Sequence, residues 1–429
     1  ANTGEFLEAR SHLYAQPPAS VAKALTAIYG LKTLGRDHRF TTRLIATGPV
    51  SNGRIDGDLV LVGSGDPLLD TDRLGEMAKQ LRESGIFEVA GQFRVLDGAL
   101  PAITSIDPSQ PDHVGYNPSI SGLNLNFNRV FFEWKRGKSD YHITLDARAK
   151  RHRPRVTVSR MQVVDRSVPI YTYADGAGRD EWTVARKALG REGGRWLPVR
   201  YPGRYATEVM ATLLRSNGID VKSGETLQTA PIGTDLVVSE GPELHKMLRG
   251  MLKYSTNLTA EVVGLSASKA RGIPMETLAD SGAAMSDWLV SEFDARRPQF
   301  VDHSGLGDSS RITSYDMVRA LMEAGPETGI RDLMKNIPLR DANGNTMKGH
   351  PVKVSAKTGT LNFVSGLGGF IKTASGRDLA FAIFSSDMDR RGKLSKAERE
   401  RPPGGKQWAR RARRMQNNLI QRWATAYIS

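Results

Sequence analysis

"PPASVAKALTAIYGLKTLG" occupies residues 17–35, and the reading of its serine and first lysine decides the fold. Pro17 and Pro18 force an extended entry into a helix that begins at about Ser20. Apolar residues then recur at helical spacing as far as the stop at Gly35. Ser20 and Lys23 are three apart, so their side chains share one helix face. Two readings fit. In one, Ser20 is an N-cap hydroxyl and Lys23 a solvated cation. In the other, Ser20 is a nucleophile, seated where helix N–H groups and the dipole favour developing negative charge. A serine hydroxyl is a poor nucleophile until a neighbouring base removes its proton. A lysine serves as that base only when uncharged, through burial or a nearby cation. The pattern alone does not choose between these, since Ser266 and Lys269 repeat it on what reads as a helix surface.

Two further segments tilt the balance. "YSTN" (254–257) supplies a hydroxyl, Ser255, and a carboxamide, Asn257, between two helical patterns. Such a turn can aim both inward, although a lone Ser-x-Asn is more often a cap. "AKTGTLNFVSGLGGF" (356–370) reads as a strand carrying Lys357, Thr358, Gly359 and Thr360. Glycine on a strand marks a place where something must approach the backbone. Period two puts Lys357 and Gly359 on one face, with Thr358 and Thr360 on the other or at an edge. A lysine, two hydroxyls and open edge amides suit a carboxylate-bearing peptide that pairs as an added strand. Ser-x-x-Lys, Ser-x-Asn and Lys-Thr-Gly, in this order, form the signature shared by penicillin-binding proteins and serine β-lactamases.

With these motifs the chain resembles the D-alanyl-D-alanine carboxypeptidases/endopeptidases of the penicillin-binding protein 4 type, peptidase family S13. "HRFTT", "GDLVLVGSGDP", "YNPSISGLNLNFNRV" and "DHSGLGDSSRIT" resemble family segments in family order. The interval from Ser20 to Ser255 is more than twice that from Ser255 to Lys357, which resembles the family's inserted domains. The resemblance implies an α/β (α+β) multidomain fold. Residues 1–40 and 240–429 would form a transpeptidase-like domain, an antiparallel sheet flanked by helices. An inserted domain would comprise 41–67 and 144–239, with a third domain, 68–143, nested inside it.

The resemblance also implies roles. Ser20 would attack the carbonyl between two D-alanines, Lys23 would take its proton, and Ser255 would relay a proton to the leaving amine. Asn257 would hold the substrate's side amide. Lys357 would add positive charge that keeps Lys23 neutral and attracts the substrate carboxylate, which Thr358 and Thr360 would hold beside Gly359. The N–H groups of Ser20 and Thr360 would form the oxyanion hole. No metal or cofactor would be needed. Peptidoglycan peptides would be the substrates, β-lactams would acylate Ser20, and the compartment would be the periplasm. Two positions depart from the family pattern: Thr256 stands where Asp is frequent, and His303 where Gly is usual.

Length and composition agree with a folded chain of two or three domains. The chain has 429 residues, 39% apolar and 25% charged, and no cysteine. Disulfides, thiolate catalysis and cysteine-based zinc sites are thereby excluded. No run of about 18 apolar residues is present, so no membrane span is expected. No export signal is visible. The opening "ANTGEFLEAR" reads as the second half of a strand, so an earlier start is expected, which leaves room for a removed export signal. The net charge is +14, and from Arg390 onward twelve basic residues face two acidic ones. That segment reads first as a solvated loop and helix face and second as a grip on an anionic partner. A binding protein for an anionic wall polymer and a β-lactamase on the same fold are the rival functions. Intact motif residues disfavour the first, and the long insertion disfavours the second. "DHS" (302–304) is not a catalytic triad, because adjacent residues point apart. No histidine spacing suggests a zinc peptidase.

Among the elements, 122–134, 155–164 and 220–230 read as strands, and 71–85 and 204–218 as helices. The runs 352–373 and 377–387 read as two strands joined by a hairpin. A final helix carries an apolar stripe at Trp408, Ala412, Met415, Leu419, Trp423 and Tyr427.

Overall fold

The computed structural model describes residues 3–341 and 343–427. The chain divides into two compact units, one formed by Ala1–His38 with Glu243–Ser429 and the other by Arg39–Pro242.

The first unit is built on a four-stranded antiparallel sheet. Its strands follow the order Lys335–Asn336, Lys353–Leu361, Val364–Lys372 and Asp378–Ser386. The run 352–373 is therefore itself a hairpin, turning at Asn362 and Phe363. Phe363 adopts φ 59°, a left-handed turn inside a stretch whose apolar residues run on without a break. Three long strands result where two were expected. Val364–Lys372 is buried along nearly its whole length because both faces are covered. The C-terminal helix Gly405–Ala426 packs on one side through Ile420 and Ala424 against Ile371, Leu379 and Phe381. Its buried line is Ala412, Gln416, Ile420 and Ala424, whereas Met415 is exposed. Gln416 is tolerated inside because its Nε2 donates to Ser365 Oγ at 3.0 Å.

The opposite face carries the helices. Ala22–Leu34 is buried from Ala22 to Leu31, as befits a helix apolar on every side. Gly30 lets it close on Asn257–Ala270, since a methyl there would meet Val263 at 2.5 Å. Leu244–Tyr254, Leu278–Phe293 and Ser314–Thr328 complete the layer. The expected opening strand is absent: residues 3–10 form none, and the nearest pairing is an isolated bridge between Gln16 and Ile312.

The second unit has one continuous apolar cluster running from Leu44 to Val237. Strand pairing joins the piece 68–143 to the segments on either side of it. Phe93–Leu96 pairs with Leu59–Gly63, and Arg129–Arg136 pairs with Glu192–Pro198, so sheets cross both expected boundaries. Two strand expectations fail here. In 122–134 the strand begins only at Arg129, because Asn126, Phe127 and Asn128 all adopt left-handed φ. The asparagines that mimic a polar face are buried anchors. Asn126 bonds both Thr71 and the Tyr205 hydroxyl, and Asn128 bonds Ser119 O. Segment 220–230 makes only isolated bridges at Asp220, Ser223 and Leu227. The helices Thr71–Glu83 and Pro202–Ser216 and the strand Ser159–Val164 stand where the sequence places them.

Candidate active site

All the motif residues fall in the first unit. Ser20 sits in a single 3-10 turn, Ala19–Val21, that leads into Ala22–Leu34. Neither element is capped by a side-chain hydrogen bond, so the N-cap reading of Ser20 fails. Ala19 is held at φ 46°, an unfavourable conformation for a residue with a Cβ and of a kind that collects at functional turns. The turn lies directly on the sheet, and glycines make this possible. A methyl at Gly359 would come 2.7 Å from Pro18 O and 3.1 Å from Ser20 N, and one at Gly366 would come 2.9 Å from Pro18 O. The backbone that approaches the Lys-Thr-Gly strand is thus the turn that carries Ser20.

Lys23 is fully buried. Its Nζ lies 2.9 Å from Ser20 Oγ and donates to Ser304 O at 2.8 Å. When the amine is charged it donates to the serine; when neutral, the serine hydroxyl donates to its lone pair. Burial pushes the amine down to about 8, while Glu261 and then Asp302 oppose the shift. Desolvation, rather than the charge on Lys357 that the resemblance implies, is thus what lowers the amine.

Ser255 follows Leu244–Tyr254 in the left-handed region, at φ 60° and ψ 40°. Its Oγ accepts from Lys357 Nζ at 3.0 Å, and the same amine donates to Thr358 O at 2.6 Å. Lys357 is buried, and burial, with Lys23 and Lys335 nearby, pushes it down to about 6. Asn257 is the first residue of Asn257–Ala270, half-buried. Along Lys353–Leu361, Lys357 and Gly359 face inward, and Thr358 and Thr360 are exposed. The strand pairs fully with Val364–Lys372. On its other side it meets a strand only at Ser355 and Ala356, so among the described residues 357–361 present an open edge. Two hydroxyls, each with a buried lysine, thus border an edge able to receive an extended peptide.

His303 does not reach this cleft. Its ring stacks on Tyr29 at 6.3 Å and lies against Gly264, where a methyl would come within 2.0 Å. Nε2 lies 2.7 Å from Ser281 Oγ, which donates to Ser268 Oγ. Burial pushes the imidazole down to about 3, leaving it neutral. One residue escaped the sequence reading, Glu261; Asp302 and Ser304 were weighed there only as a triad with His303, whereas here the Ser304 carbonyl accepts from Lys23 and Asp302 accepts the N–H of Gly305. The signal for Glu261 was a single acid in an apolar helix four residues after Asn257. Among the described residues no three His, Asp or Glu side chains are grouped to hold a metal ion.

The D-Ala-D-Ala carboxypeptidase 3 (S13) family model matches residues 1–402. The chain belongs to that family. Membership makes it a hydrolase of the serine D-Ala-D-Ala carboxypeptidase class. It is 27% identical to a D-alanyl-D-alanine carboxypeptidase of Actinomadura sp. (strain R39), over 90% of this chain and 76% of that protein. It is 24% identical to the D-alanyl-D-alanine carboxypeptidase DacB of Haemophilus influenzae, over 85% of this chain and 79% of the relative. Its fold is similar to the crystal structure of penicillin binding protein 4 from Haemophilus influenzae. That match has a TM-score of 0.72 at 20% identity and covers 95% of this chain and 91% of the other. A predatory endopeptidase of Bdellovibrio bacteriovorus, solved with an immunity protein, matches at a TM-score of 0.53 and 16% identity, covering 98% and 89%. Among the described residues no helix is long and apolar enough to cross a membrane.

Proposed function

We propose that this S13 enzyme cleaves the bond between two D-alanines of peptidoglycan stem peptides and cross-links through an acyl-enzyme on Ser20, and that penicillins acylate the same atom. The observation that carries the reading is the pairing of Ser20 with the buried Lys23 amine at 2.9 Å. Ser20 Oγ gives its proton to uncharged Lys23 Nζ and attacks the carbonyl carbon. The oxyanion forms between the N–H groups of Ser20 and Thr360, a type of donor whose loss costs about 3 kcal/mol in comparable sites. Ser255, held by Lys357 at 3.0 Å, passes a proton to the leaving D-alanine amine. The extended peptide lies along 357–361, its side amide on Asn257 and its terminal carboxylate between Thr358, Thr360 and Lys357. That carboxylate favours the charged form of Lys357, which takes its proton from solvent, and so opposes the lowering by burial. Water then hydrolyses the ester. We place this work in the periplasm, where the substrate lies.

The test is release of D-alanine from a peptide ending in D-Ala-D-Ala. The wild-type chain releases it and Ser20→Ala does not; equal release by both removes Ser20 from the mechanism.

A further inference from the structure

Four ionisable side chains are sealed around the nucleophile, and the mechanism above uses only Lys23 and Lys357. The other two, Glu261 and Asp302, are equally buried. Glu261 stands one turn beyond Asn257 on the helix Asn257–Ala270. Its Oε2 accepts the N–H of His303 at 2.8 Å and its Oε1 the N–H of Ser304 at 2.9 Å. Asp302 accepts the N–H of Gly305 at 2.7 Å and of Gly307 at 2.5 Å. The Gly305 N–H belongs to the same peptide unit as the Ser304 carbonyl, and that carbonyl accepts from Lys23 Nζ at 2.8 Å. One peptide plane is thus clamped between an acid and the catalytic amine. Thr26, on the nucleophile helix, adds a bond to His303 O at 2.6 Å. Gly305 is required at φ 71°, since a methyl there would meet Ala19 O at 1.9 Å. The turn is therefore built against the residue preceding Ser20.

A turn that only needed its N–H groups satisfied could use a neutral acceptor. Burying a carboxylate is unfavourable unless a compensating charge is near, and here the nearest source is Lys23. We infer that Glu261 is a positioning residue for acylation: it fixes the His303–Ser304 turn that grips Lys23, and its charge supports the ammonium formed when Ser20 gives up its proton. Both carboxylate oxygens are committed to backbone N–H groups, so Glu261 acts through Lys23 rather than on water. Burial and the neighbouring Asp302 push its carboxyl up to about 8, in the range to which burial lowers the amine. The two groups therefore titrate as a linked pair. The ionisable groups bearing on Lys23 are Glu261 from its helix, Asp302 from the turn and Lys357 from the strand, the last with Lys335 beside it.

This inference rests on Ser20 being the acylated residue. The experiment measures the second-order rate of acylation by a fluorescent penicillin between pH 5 and 10 for wild type, Glu261→Gln and Glu261→Asp. Glu261→Gln removes the charge that favours the ammonium. The acid limb of its profile shifts to lower pH by about one unit, and its maximal rate falls roughly tenfold or more. Glu261→Asp keeps the charge, so its limb returns toward the wild-type position while the rate stays reduced. A slower Glu261→Gln whose limb does not move overturns the inference and leaves a purely structural carboxylate. If the variants do not fold, wild-type chain labelled with 13Cε-lysine decides by NMR. The Lys23 signal moves in two steps with pH if Glu261 is linked to it, and a single step overturns the linkage. Absence of wild-type labelling at Ser20 is a different failure, that of the proposed function itself.

Discussion

Replacing Gly359 with alanine tests whether the glycine of the Lys-Thr-Gly strand exists to seat the nucleophile turn. The added methyl would lie 2.7 Å from Pro18 O, 3.1 Å from Ala19 Cβ and 3.1 Å from Ser20 N. Ordinary contact begins at 3.4 Å, so the deficit is 0.7 Å at the Pro18 carbonyl and 0.3 Å at the other two. All three neighbours belong to the turn's backbone or its first side-chain carbon, and no rotamer change relieves them. The turn must withdraw, carrying the Ser20 N–H out of line with the oxyanion. Full loss of such a donor costs about 10²–10³ in rate, and a displacement approaching 1 Å costs about 10²-fold. We expect acylation of Gly359→Ala to fall about 30- to 100-fold. Overpacking of this kind costs about 1–3 kcal/mol of stability, or roughly 2–12 °C in Tm for a unit of this size. The variant therefore remains folded at 25 °C, and the deficit shows in chemistry. The assay is the time course of fluorescent penicillin labelling, with Tm measured on the same sample. A rate within about threefold of wild type, in a variant whose Tm has dropped, would refute the reasoning: the methyl fits poorly but the turn does no catalytic work.

Acylation should rise as pH increases through about 8, because the Lys23 amine is uncharged only above the value to which burial has lowered it; a rate flat from pH 6 to 9 contradicts that base. Lys357→Ala leaves Ser255 Oγ without the amine that holds it and should slow turnover of a D-Ala-D-Ala peptide at least about 10²-fold, measured as D-alanine release. Lys357→Met should be more stable than wild type near pH 6.5, with an advantage that shrinks toward pH 9. The sign follows from linkage: the folded value is about 6 against 10.5 unfolded. The unfolded chain therefore holds the extra proton in that window, and wild-type stability rises with pH. Calorimetry at the two pH values checks it.

The motif residues of the candidate site could be picked out in the sequence because each motif lies in a short stretch. Ser20 and Lys23 share one helical turn, Ser255 and Asn257 one helix junction, and Lys357 to Thr360 one strand. What supports those residues was not legible. Glu261 and Asp302 act through backbone N–H groups, and a sequence does not show which peptide unit an acid will meet. His303 suggested a changed loop at the cleft, yet its ring turns inward because Gly264, distant in sequence, leaves it room. In the fold, helices announced by apolar stripes were placed well. The errors fell where local backbone overrides pattern: the left-handed run Asn126–Asn128, and the turn at Phe363 that splits one apolar run into two strands. The alternating asparagines of 124–128 look solvent-facing by period alone, and only their buried partners reveal them as anchors.

The central claim is that Ser20 Oγ is the atom acylated. Reaction with penicillin, trypsin digestion and tandem mass spectrometry locate the adduct directly. The account predicts the drug's mass on the peptide spanning 11–23, fragmenting to place it on Ser20 rather than Ser11, and none on the Ser20→Ala chain. An adduct on any other residue, or equal labelling of Ser20→Ala, contradicts it.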